Sequence, residues 1–474
     1  MRCRDAYGYD LTTSPLAATA YVDGVRDVLR LSTGAAGRIA TAIALDPTFA
    51  LGHAALALLG HEMCVEVDIA ARLADARLHA ARGTERERSH VHAIDRHLQG
   101  DAAPLVTHLS AYPRDALLLS VAMPTIAFAG VTDVPEQAWR IVETAAPAYG
   151  DDPWINGLLA FVRQEQRRFD EAMDLSCRSL AAEPAGGHAA HARAHAHYET
   201  GDHAAGLAWM DGWIAGDGAV TDSLTHFSWH AALHELSVGD LDAVRARYES
   251  QLQPRHAVGC RALVDSGSLL FRWALTPDAV DVPPIEDVVA VTGRDVLERP
   301  ATAFLGLHAA IALLATGDRH GLSRLAAWCA AHPAPTHREV VAPLASALGL
   351  LAAGRSSAAA DRLAALAPST WRLGGSDAQR ELLEEARIAA LLRAGRYDEA
   401  RQVLDARLDR RPSPRDRRWR DQAARIWSPS TLISTFASAE DAGPPSTSPV
   451  LAEKAEPWLA HLMAPSSTEV TSRP

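Results

Sequence analysis

The stretch "TGDRHGLSRLAAWCAAHP" (316–333) has a layout that recurs along the chain. A first helix ends at a Gly-Asp turn, an alanine-rich second helix begins, and a proline follows it. The stretch "AGRYDEARQVLDARLDRRP" (394–412) repeats the layout with a Gly-Arg turn. Glycine supplies the left-handed residue that ends one helix, aspartate caps the next, and alanine lets two helices pack closely. The layout therefore predicts a helical hairpin.

The spacing of these hairpins predicts a repeat architecture. The turn glycines Gly201 and Gly239 are 38 residues apart, and Gly317, Gly354 and Gly395 follow one another at 37 and 41 residues. A period of roughly 34–40 residues is typical of tetratricopeptide-type (TPR-like) hairpins, each of which buries its apolar face on its neighbours. We predict an all-α fold, a right-handed α-solenoid of TPR-like helical hairpins.

Composition divides the sequence into a long repeat region and a tail. From about residue 430 onwards serine, threonine, proline and alanine replace the periodic aliphatic positions, which is typical of a chain without a packed core. We predict a solenoid over residues 1–430 and a mostly disordered tail over 431–474. A short amphipathic helix at 451–463 is an open alternative for part of the tail.

Charge and residue usage exclude several classes of function. The 474-residue chain has a formal net charge of −12, so it offers no net attraction to a phosphate backbone, and we predict no nucleic-acid partner. Lys454 is the only lysine beside 45 arginines, and it lies in the tail. Phosphate-binding loops and Schiff-base enzymes both need a lysine, which argues against nucleotide hydrolysis and pyridoxal chemistry.

Cysteine usage and hydropathy predict a cytoplasmic protein. The five cysteines lie far apart with no Cys-x-x-Cys pair, which is typical of reduced thiols. The first residues, "MRCRDAYGYDL" (1–11), lack the apolar segment of a secretory signal. No stretch has the length and hydropathy of a membrane span, so we predict no membrane partner.

Several stretches are more specific than the general repeat pattern. They are "YGYDLTTSPLAATAYVDGV" (7–25), "LDPTFALGHA" (45–54), "ERERSHVHAI" (85–94), "YPRDALLL" (112–119), "HARAH" (191–195), "HFSWHAAL" (226–233), "LGLHAAIAL" (305–313) and "GGSDAQRELL" (374–383). Through these stretches residues 5–425 resemble the family of tetratricopeptide repeat protein 38. That family is known for helical repeats without a generally established activity, so the resemblance implies a fold more than a function.

The sequence departs from this family's pattern at several polar positions. Asp377 stands where relatives usually carry a histidine, and Phe227 and Ser228 stand between two histidines where relatives carry Asn and an aromatic residue. Tyr198 replaces a common glutamate, with Glu199 one residue further on. Ligand chemistry shared with the family is therefore in question at these positions.

Histidine is concentrated in two neighbouring hairpins. The stretches "HARAHAHYETGD" (191–202) and "HFSWHAALHELSVGD" (226–240) place histidines four residues apart, on one face of a helix that precedes a Gly-Asp turn. His230 and His308 each lie nine residues before their turn glycine, so they are expected to face the same way. We expect five histidines to converge on one concave, solvated pocket: His191, His195, His226, His230 and His308.

Three interpretations of these histidines remain open. They pack as hydrogen-bonded core residues, or they line a binding pocket, or they carry out catalysis. In a binding protein, the five histidines with Trp229, Asp265 and Arg380 would hold a small anionic ligand, a peptide or a protein partner. In the alternative, a His-based enzyme of bacterial secondary metabolism, catalytic candidates for work on a small molecule are His195, His230 and Asp265.

Metal binding is a further alternative, although we predict no cofactor. Histidine pairs on facing helices are suitable zinc ligands, and the candidates are His191, His195, His226 and His230. The stretch "LLGHEMC" (58–64) has a His-Glu dipeptide, but no second histidine follows at the spacing of a His-Glu-x-x-His motif. Imidazoles that meet in an apolar wall are also expected to have lowered pKa values.

Overall fold

Helices make up nearly all of the regular structure in the computed structural model, which describes residues 3–62, 65–123, 135–257 and 259–426. The strands in these ranges are β1 (Cys3–Arg4) and β2 (Asp10–Leu11), a short antiparallel pair. No helix within the ranges is long and apolar enough to cross a membrane. The predicted tail at 431–474, with its helix at 451–463, lies outside the described residues.

The helices follow one another with short connections. In chain order they are α1 (Pro15–Arg30), α2 (Ala35–Leu45), α3 (Ala50–Glu62), α4 (Ile69–Ala80), α5 (Glu85–His97), α6 (Ala103–Ala111), α7 (Ala116–Ala122), α8 (Pro135–Ala145), α9 (Pro153–Glu165), α10 (Phe169–Ala182), α11 (Gly187–Thr200), α12 (His203–Ala215), α13 (Leu224–Val238), α14 (Leu241–Arg247), α15 (Gly259–Arg261), α16 (Ser268–Ala274), α17 (Glu286–Thr292), α18 (Arg294–Glu298), α19 (Ala303–Ala315), α20 (Arg319–Ala331), α21 (Ala342–Ala352), α22 (Ser356–Leu366), α23 (Asp377–Arg393), α24 (Tyr397–Arg410) and α25 (Pro414–Ile426). Short 3₁₀ segments cover Ala146–Ala148, Asp217–Val220 and Ala367–Leu373, and wider π turns cover Tyr248–Leu252, Ala262–Gly267 and His337–Val341.

The turn chemistry expected from the sequence is confirmed. The repeat glycines all have positive φ angles, between 67° and 81°: Gly201, Gly239, Gly317, Gly354 and Gly395. Asp240 and Asp318 then cap the following helices, because their carboxylates accept hydrogen bonds from the backbone N–H groups of Ala243 and Gly321. At the start of the chain, Ser14 caps α1 by accepting from the N–H of Ala17.

The chain divides into two compact units. Unit 1 comprises Met1–Ala196 with Trp209–Phe227, and unit 2 comprises His197–Ala208 with Ser228–Pro474. In unit 1 the pairs α1/α2, α3/α4, α5/α6 and α9/α10 pack as hairpins; in unit 2 the same holds for successive helices from α19 to α25. The predicted fold class, all-α with tandem helical hairpins, is confirmed. One continuous solenoid over residues 1–430 stays a prediction.

Unit 2 contains a buried ionic cluster that ties α16 and α23 to the last two helices. Glu385, on α23, is fully buried and accepts hydrogen bonds from Arg272 at 3.1 Å, Arg407 at 3.3 Å and Arg415 at 2.9 Å. Burial raises the pKa of the Glu385 carboxyl, but the three guanidinium charges outweigh it and lower that pKa to about 2. Asp416 compensates part of the positive charge by accepting from Arg407 at 2.7 Å. The carboxylate of Glu385 is therefore the central anion of this cluster.

Candidate ligand-binding site in unit 1

The predicted site residues are divided between the two units. Unit 1 contains His191, His195 and His226, and unit 2 contains Trp229, His230, Asp265, His308 and Arg380. Convergence of all of them on one pocket stays a prediction. Each set is therefore described within its own unit.

His191 is the centre of the histidine cluster of unit 1. Its Nε2 atom lies 3.1 Å from Nε2 of His195, one turn further along α11, and 3.0 Å from Nε2 of His226 at the start of α13. The His191 ring also stacks on Phe161 of α9, with ring centroids 5.0 Å apart and planes 14° from parallel. The i, i+4 spacing correctly predicted that the rings of His191 and His195 meet.

These histidines do not line a solvated groove, and this part of the prediction is wrong. The five predicted histidines are all buried, and the most exposed of them, His226, is only 4% accessible. The reason is that the helices carrying them are packed on every side: residues 225–237 of α13 and 303–315 of α19 are all buried. The expected effect on protonation is confirmed for His191, whose pKa is well below its ordinary value because of burial and the charges of its histidine neighbours.

In unit 2, His308 is a buried core histidine with a backbone partner. Its Nδ1 atom is 3.0 Å from the carbonyl oxygen of Phe304, one turn earlier on α19. Burial lowers the pKa of His308 to about 4, and the nearby charges of Asp265 and Arg272 act in opposite directions. Trp229 is fully buried as well and donates its indole N–H to Ser268 at 2.8 Å. These contacts are those of core packing.

Arg380 is bound to the turn that precedes its own helix. Its guanidinium donates to the carbonyl oxygens of Gly374 and Gly375 and to the carboxylate of Asp377 at 2.5 Å. Gly374 and Gly375 have positive φ angles of 78° and 69°, a conformation that leaves these carbonyls without helical partners. The contacts indicate that Arg380 stabilises the entry to α23.

Acid is expected to weaken unit 2 through His308. The unfolded chain takes up a proton near pH 6.5, but folded His308 does so only near pH 4, so its contribution to stability is complete above pH 6.5 and falls as the pH drops from 6.5 to 4. The full effect is about 3 kcal/mol. Urea unfolding of His308→Gln between pH 7.5 and 4.5 should show a flatter pH dependence than the wild type. The exposed His320→Gln is the control, and parallel curves for His308→Gln and the wild type would contradict the assignment.

A cavity among the described residues lies within unit 1. Its volume is about 240 Å³, and it is bounded by the N-terminal loop, α1, the starts of α5 and α7, and helices α9 to α11. Its lining residues are Asp5, Ala6, Tyr7, Tyr21, Val22, Val25, Arg26, Leu29, Arg30, Arg86, Asp115, Ala116, Leu117, Asp152, Pro153, Trp154, Gly157, Ser179, Glu183, Gly186, His188 and Ala189. Apolar side chains thus surround a few charged groups, which is typical of small-molecule sites.

A buried hydrogen-bond network forms the polar end of this cavity. Asp115 is 2% exposed, and its Oδ2 atom accepts from Arg86 Nη2 at 2.7 Å, His90 Nδ1 at 2.8 Å and His108 Nε2 at 3.0 Å. Burial raises the pKa of Asp115, but the charges of His90 and Arg86 and these hydrogen bonds outweigh it, and the pKa lies well below its ordinary value. Asp115 is therefore an anion that fixes Arg86 in place.

Arg86 has donors left over after these contacts. It lies in the first turn of α5, which the capping box of Thr84 and Glu87 fixes, and its guanidinium stacks over the Tyr9 ring at 4.7 Å. Its Nη2 atom is also 3.4 Å from Oδ2 of Asp5. Its Nε and Nη1 atoms are buried and have no hydrogen-bond partner among the described residues. An unpaired buried donor is costly, so an acceptor supplied by a ligand would be favoured.

Aromatic rings form another part of the cavity wall. Tyr7 meets Tyr149 edge to face at 5.0 Å, and Trp154 meets Tyr149 at 5.5 Å. The indole N–H of Trp154 is a second buried donor for which the described residues offer no acceptor. Close packing of α9 on α11 supports this wall, since a Cβ atom at Gly157 would lie 2.9 Å from the backbone nitrogen of Ala189.

This cavity was not predicted from the sequence, although a signal for it was present. Three of the stretches that resemble the tetratricopeptide repeat protein 38 family, at 7–25, 85–94 and 112–119, carry Tyr7, Arg86 and Asp115. Asp115 precedes α7 and has the position of a helix cap, yet its side chain makes no capping hydrogen bond. Asp115 accepts hydrogen bonds from side chains of other helices in place of a capping bond, and this is recognisable only when those helices are placed in the structure.

Comparisons with known proteins add little to this description. No known family model matches the sequence, so membership of the tetratricopeptide repeat protein 38 family stays a prediction. Among solved structures, the chain is similar to one in a structure of Naa15/Naa10 bound to HypK-THB, with 15% sequence identity and a TM-score of 0.22. That match covers 90% of this chain and 69% of the other. Its TM-score is too low to support a conclusion about this protein.

Proposed function

We propose that the protein binds a small organic acid in the cavity of unit 1. The observation that supports this proposal is Arg86, a cavity-lining arginine that Asp115 holds in place and that keeps unpaired donors. The ligand's carboxylate would bind the Arg86 guanidinium, and its apolar body would pack between Tyr7 and Trp154 and against Leu29. In this proposal the protein acts as a binding protein.

A carboxylate is the acceptor that best fits Arg86. Guanidinium groups form charge-assisted hydrogen bonds with carboxylates, and such bonds are about twice as strong as neutral ones. Asp5 is the nearest other carboxyl, and its Oδ2 atom is 3.4 Å from Arg86 Nη2, a longer contact than the 2.7 Å bond to Asp115. Arg26 and Arg30 also line the wall, but both are paired, Arg26 with Asp23 and Arg30 with Glu183, so Arg86 is the cation available to a ligand.

The size of the cavity favours a compact ligand over a peptide or a protein partner, the other ligands that the sequence left open. Its volume of about 240 Å³ lies just below the range of about 300–1,000 Å³ typical of small-molecule pockets, so one small molecule fits it better than a peptide of several residues. Of the catalytic candidates, His195 is not among the lining residues, and His230 and Asp265 belong to unit 2. No contact described above favours an enzyme over a binding protein.

A matched pair of ligands tests the proposal. We expect 3-phenylpropionate to bind the wild-type protein at least tenfold more tightly than 3-phenylpropionamide, because only the acid forms the charge-assisted bond. Arg86→Gln should abolish this preference. Isothermal titration calorimetry with both compounds measures the effect directly.

The control is Arg88→Gln, on the same helix but with an exposed side chain that binds the carbonyl of Gly83. It should keep the tenfold preference for the acid. Equal binding of acid and amide to the wild type, or an unchanged preference in Arg86→Gln, would overturn the proposed function.

A further inference from the structure

A second cluster of unit 1 lies where the sequence contained an incomplete metal motif. His61 and Glu62 end α3 and form the His-Glu dipeptide that has no second histidine along its own helix. The structure supplies that histidine from α5, whose last residue is His97. The three side chains offer one ligand atom each, and these atoms all lie within 4.8 Å of one another.

The two imidazole nitrogens of this cluster both lie within hydrogen-bond distance of one carboxylate oxygen of Glu62. Nε2 of His97 is 2.7 Å from Oε1 of Glu62, and Nδ1 of His61 is 3.1 Å from the same oxygen. The two imidazole rings meet edge to face with centroids 5.9 Å apart. Two imidazole nitrogens and one carboxylate oxygen are the donor set of many zinc sites with three protein ligands.

Glu62 carries an additional sign of an incomplete site. It is 6% exposed, and its Oε2 atom is buried without a hydrogen-bond partner in the described part of the chain. A buried carboxylate with an unused oxygen is well suited to a cation.

We propose that His61, Glu62 and His97 form a zinc-binding site that links α3 to α5. Tetrahedral coordination with bonds of ~2.1 Å requires donor separations of about 3.4 Å, so side-chain shifts of less than about 1 Å admit the ion. Imidazole nitrogen favours zinc over magnesium or calcium. His61 is 37% exposed, so the fourth position is open to solvent.

This site is independent of the proposed ligand cavity. His97 follows Arg86 by eleven residues on the same helix, a distance of about 16 Å at 1.5 Å per residue. Loss of zinc binding and loss of acid binding are therefore separate outcomes. Among the metal ligands predicted from the sequence, His191 and His195 lie elsewhere, on α11.

Calorimetric titration of the EDTA-treated full-length protein with zinc chloride tests the site. We expect His97→Gln and Glu62→Gln each to lose one equivalent of zinc or to bind it at least 100-fold more weakly. Both variants keep a polar group of similar size, and His97→Gln keeps a donor for Glu62. His61→Gln, at an exposed position, should have the same effect and cannot act through misfolding of the core.

His92→Gln is the matched control, since His92 is exposed on α5 five residues before His97. It should retain the wild-type stoichiometry and affinity. Unchanged zinc binding in His61→Gln and His97→Gln would overturn the proposal and leave the cluster as a hydrogen-bonded pair of histidines on one carboxylate. Loss of the same equivalent in His191→Gln, with His97→Gln unaffected, would place the zinc on α11 and also overturn it.

Discussion

Replacing Glu385 with alanine is expected to destabilise unit 2 by about 3–5 kcal/mol. The substitution leaves Arg272, Arg407 and Arg415 buried around a site without its central anion. The remaining carboxylates, Glu381, Glu384 and Asp416, pair with them only from the edge of the cluster. Urea unfolding followed by far-UV circular dichroism measures the loss. Glu385 and its three arginine partners all belong to unit 2, so the loss is expected in the unfolding of that unit.

The neighbouring Glu384→Ala is the matched control for this prediction. Glu384 lies on the same helix and binds Arg407 and Arg410, but its side chain is 25% exposed and its partner Arg410 is at the surface. Its removal should cost less than about 1 kcal/mol. A similar small cost for Glu385→Ala would contradict the central role given to that carboxylate.

The second large effect is expected at Asp115 in unit 1. Asp115→Ala removes the acceptor of Arg86, His90 and His108 together and leaves a buried guanidinium whose nearest other carboxylate oxygen, on Asp5, is 3.4 Å away. We expect a loss of about 3–5 kcal/mol in the unfolding free energy. The same variant should lose acid binding, because Arg86 is no longer held at the cavity wall.

Two further variants separate the charge of Asp115 from its shape. Asp115→Asn keeps one acceptor oxygen and should lose less stability than Asp115→Ala. Asp101→Ala, which breaks the solvent-exposed pair with Arg96, should leave stability almost unchanged. If Asp115→Ala changed the free energy of unfolding as little as Asp101→Ala does, the hydrogen-bond network of Asp115 would not stabilise the fold. Arg86 would then have to be held in place by another group.

The fold was predictable because its signals are local. A glycine such as Gly317 and a cap such as Asp318 act within one turn of the chain, and the structure places them as the sequence suggested. The contact of His191 with His195 was predictable for the same reason, since four residues make one helical turn. Alternation of such signals was sufficient to predict an all-α chain of hairpins.

The ligand cavity and the proposed zinc site were not predictable from such local signals. Arg86 and Asp115 are 29 residues apart, and Glu62 and His97 are 35 apart, so both pairs depend on how separate hairpins pack. A sequence motif such as His-Glu-x-x-His describes ligands on one helix. It cannot reveal a third ligand that comes from the next hairpin, as His97 does here. The burial of His191 was not predicted, because the first helices of a solenoid are expected to line its concave groove, whereas here α11 is buried along almost its whole length.

A crystal structure of the protein with 3-phenylpropionate tests the central claim most directly. The account predicts that the ligand occupies the cavity of unit 1, with a carboxylate oxygen within about 3.2 Å of the Arg86 guanidinium and the ring against Tyr7 and Trp154. A ligand bound away from Arg86, or one that contacts the cavity through its ring alone, would contradict it.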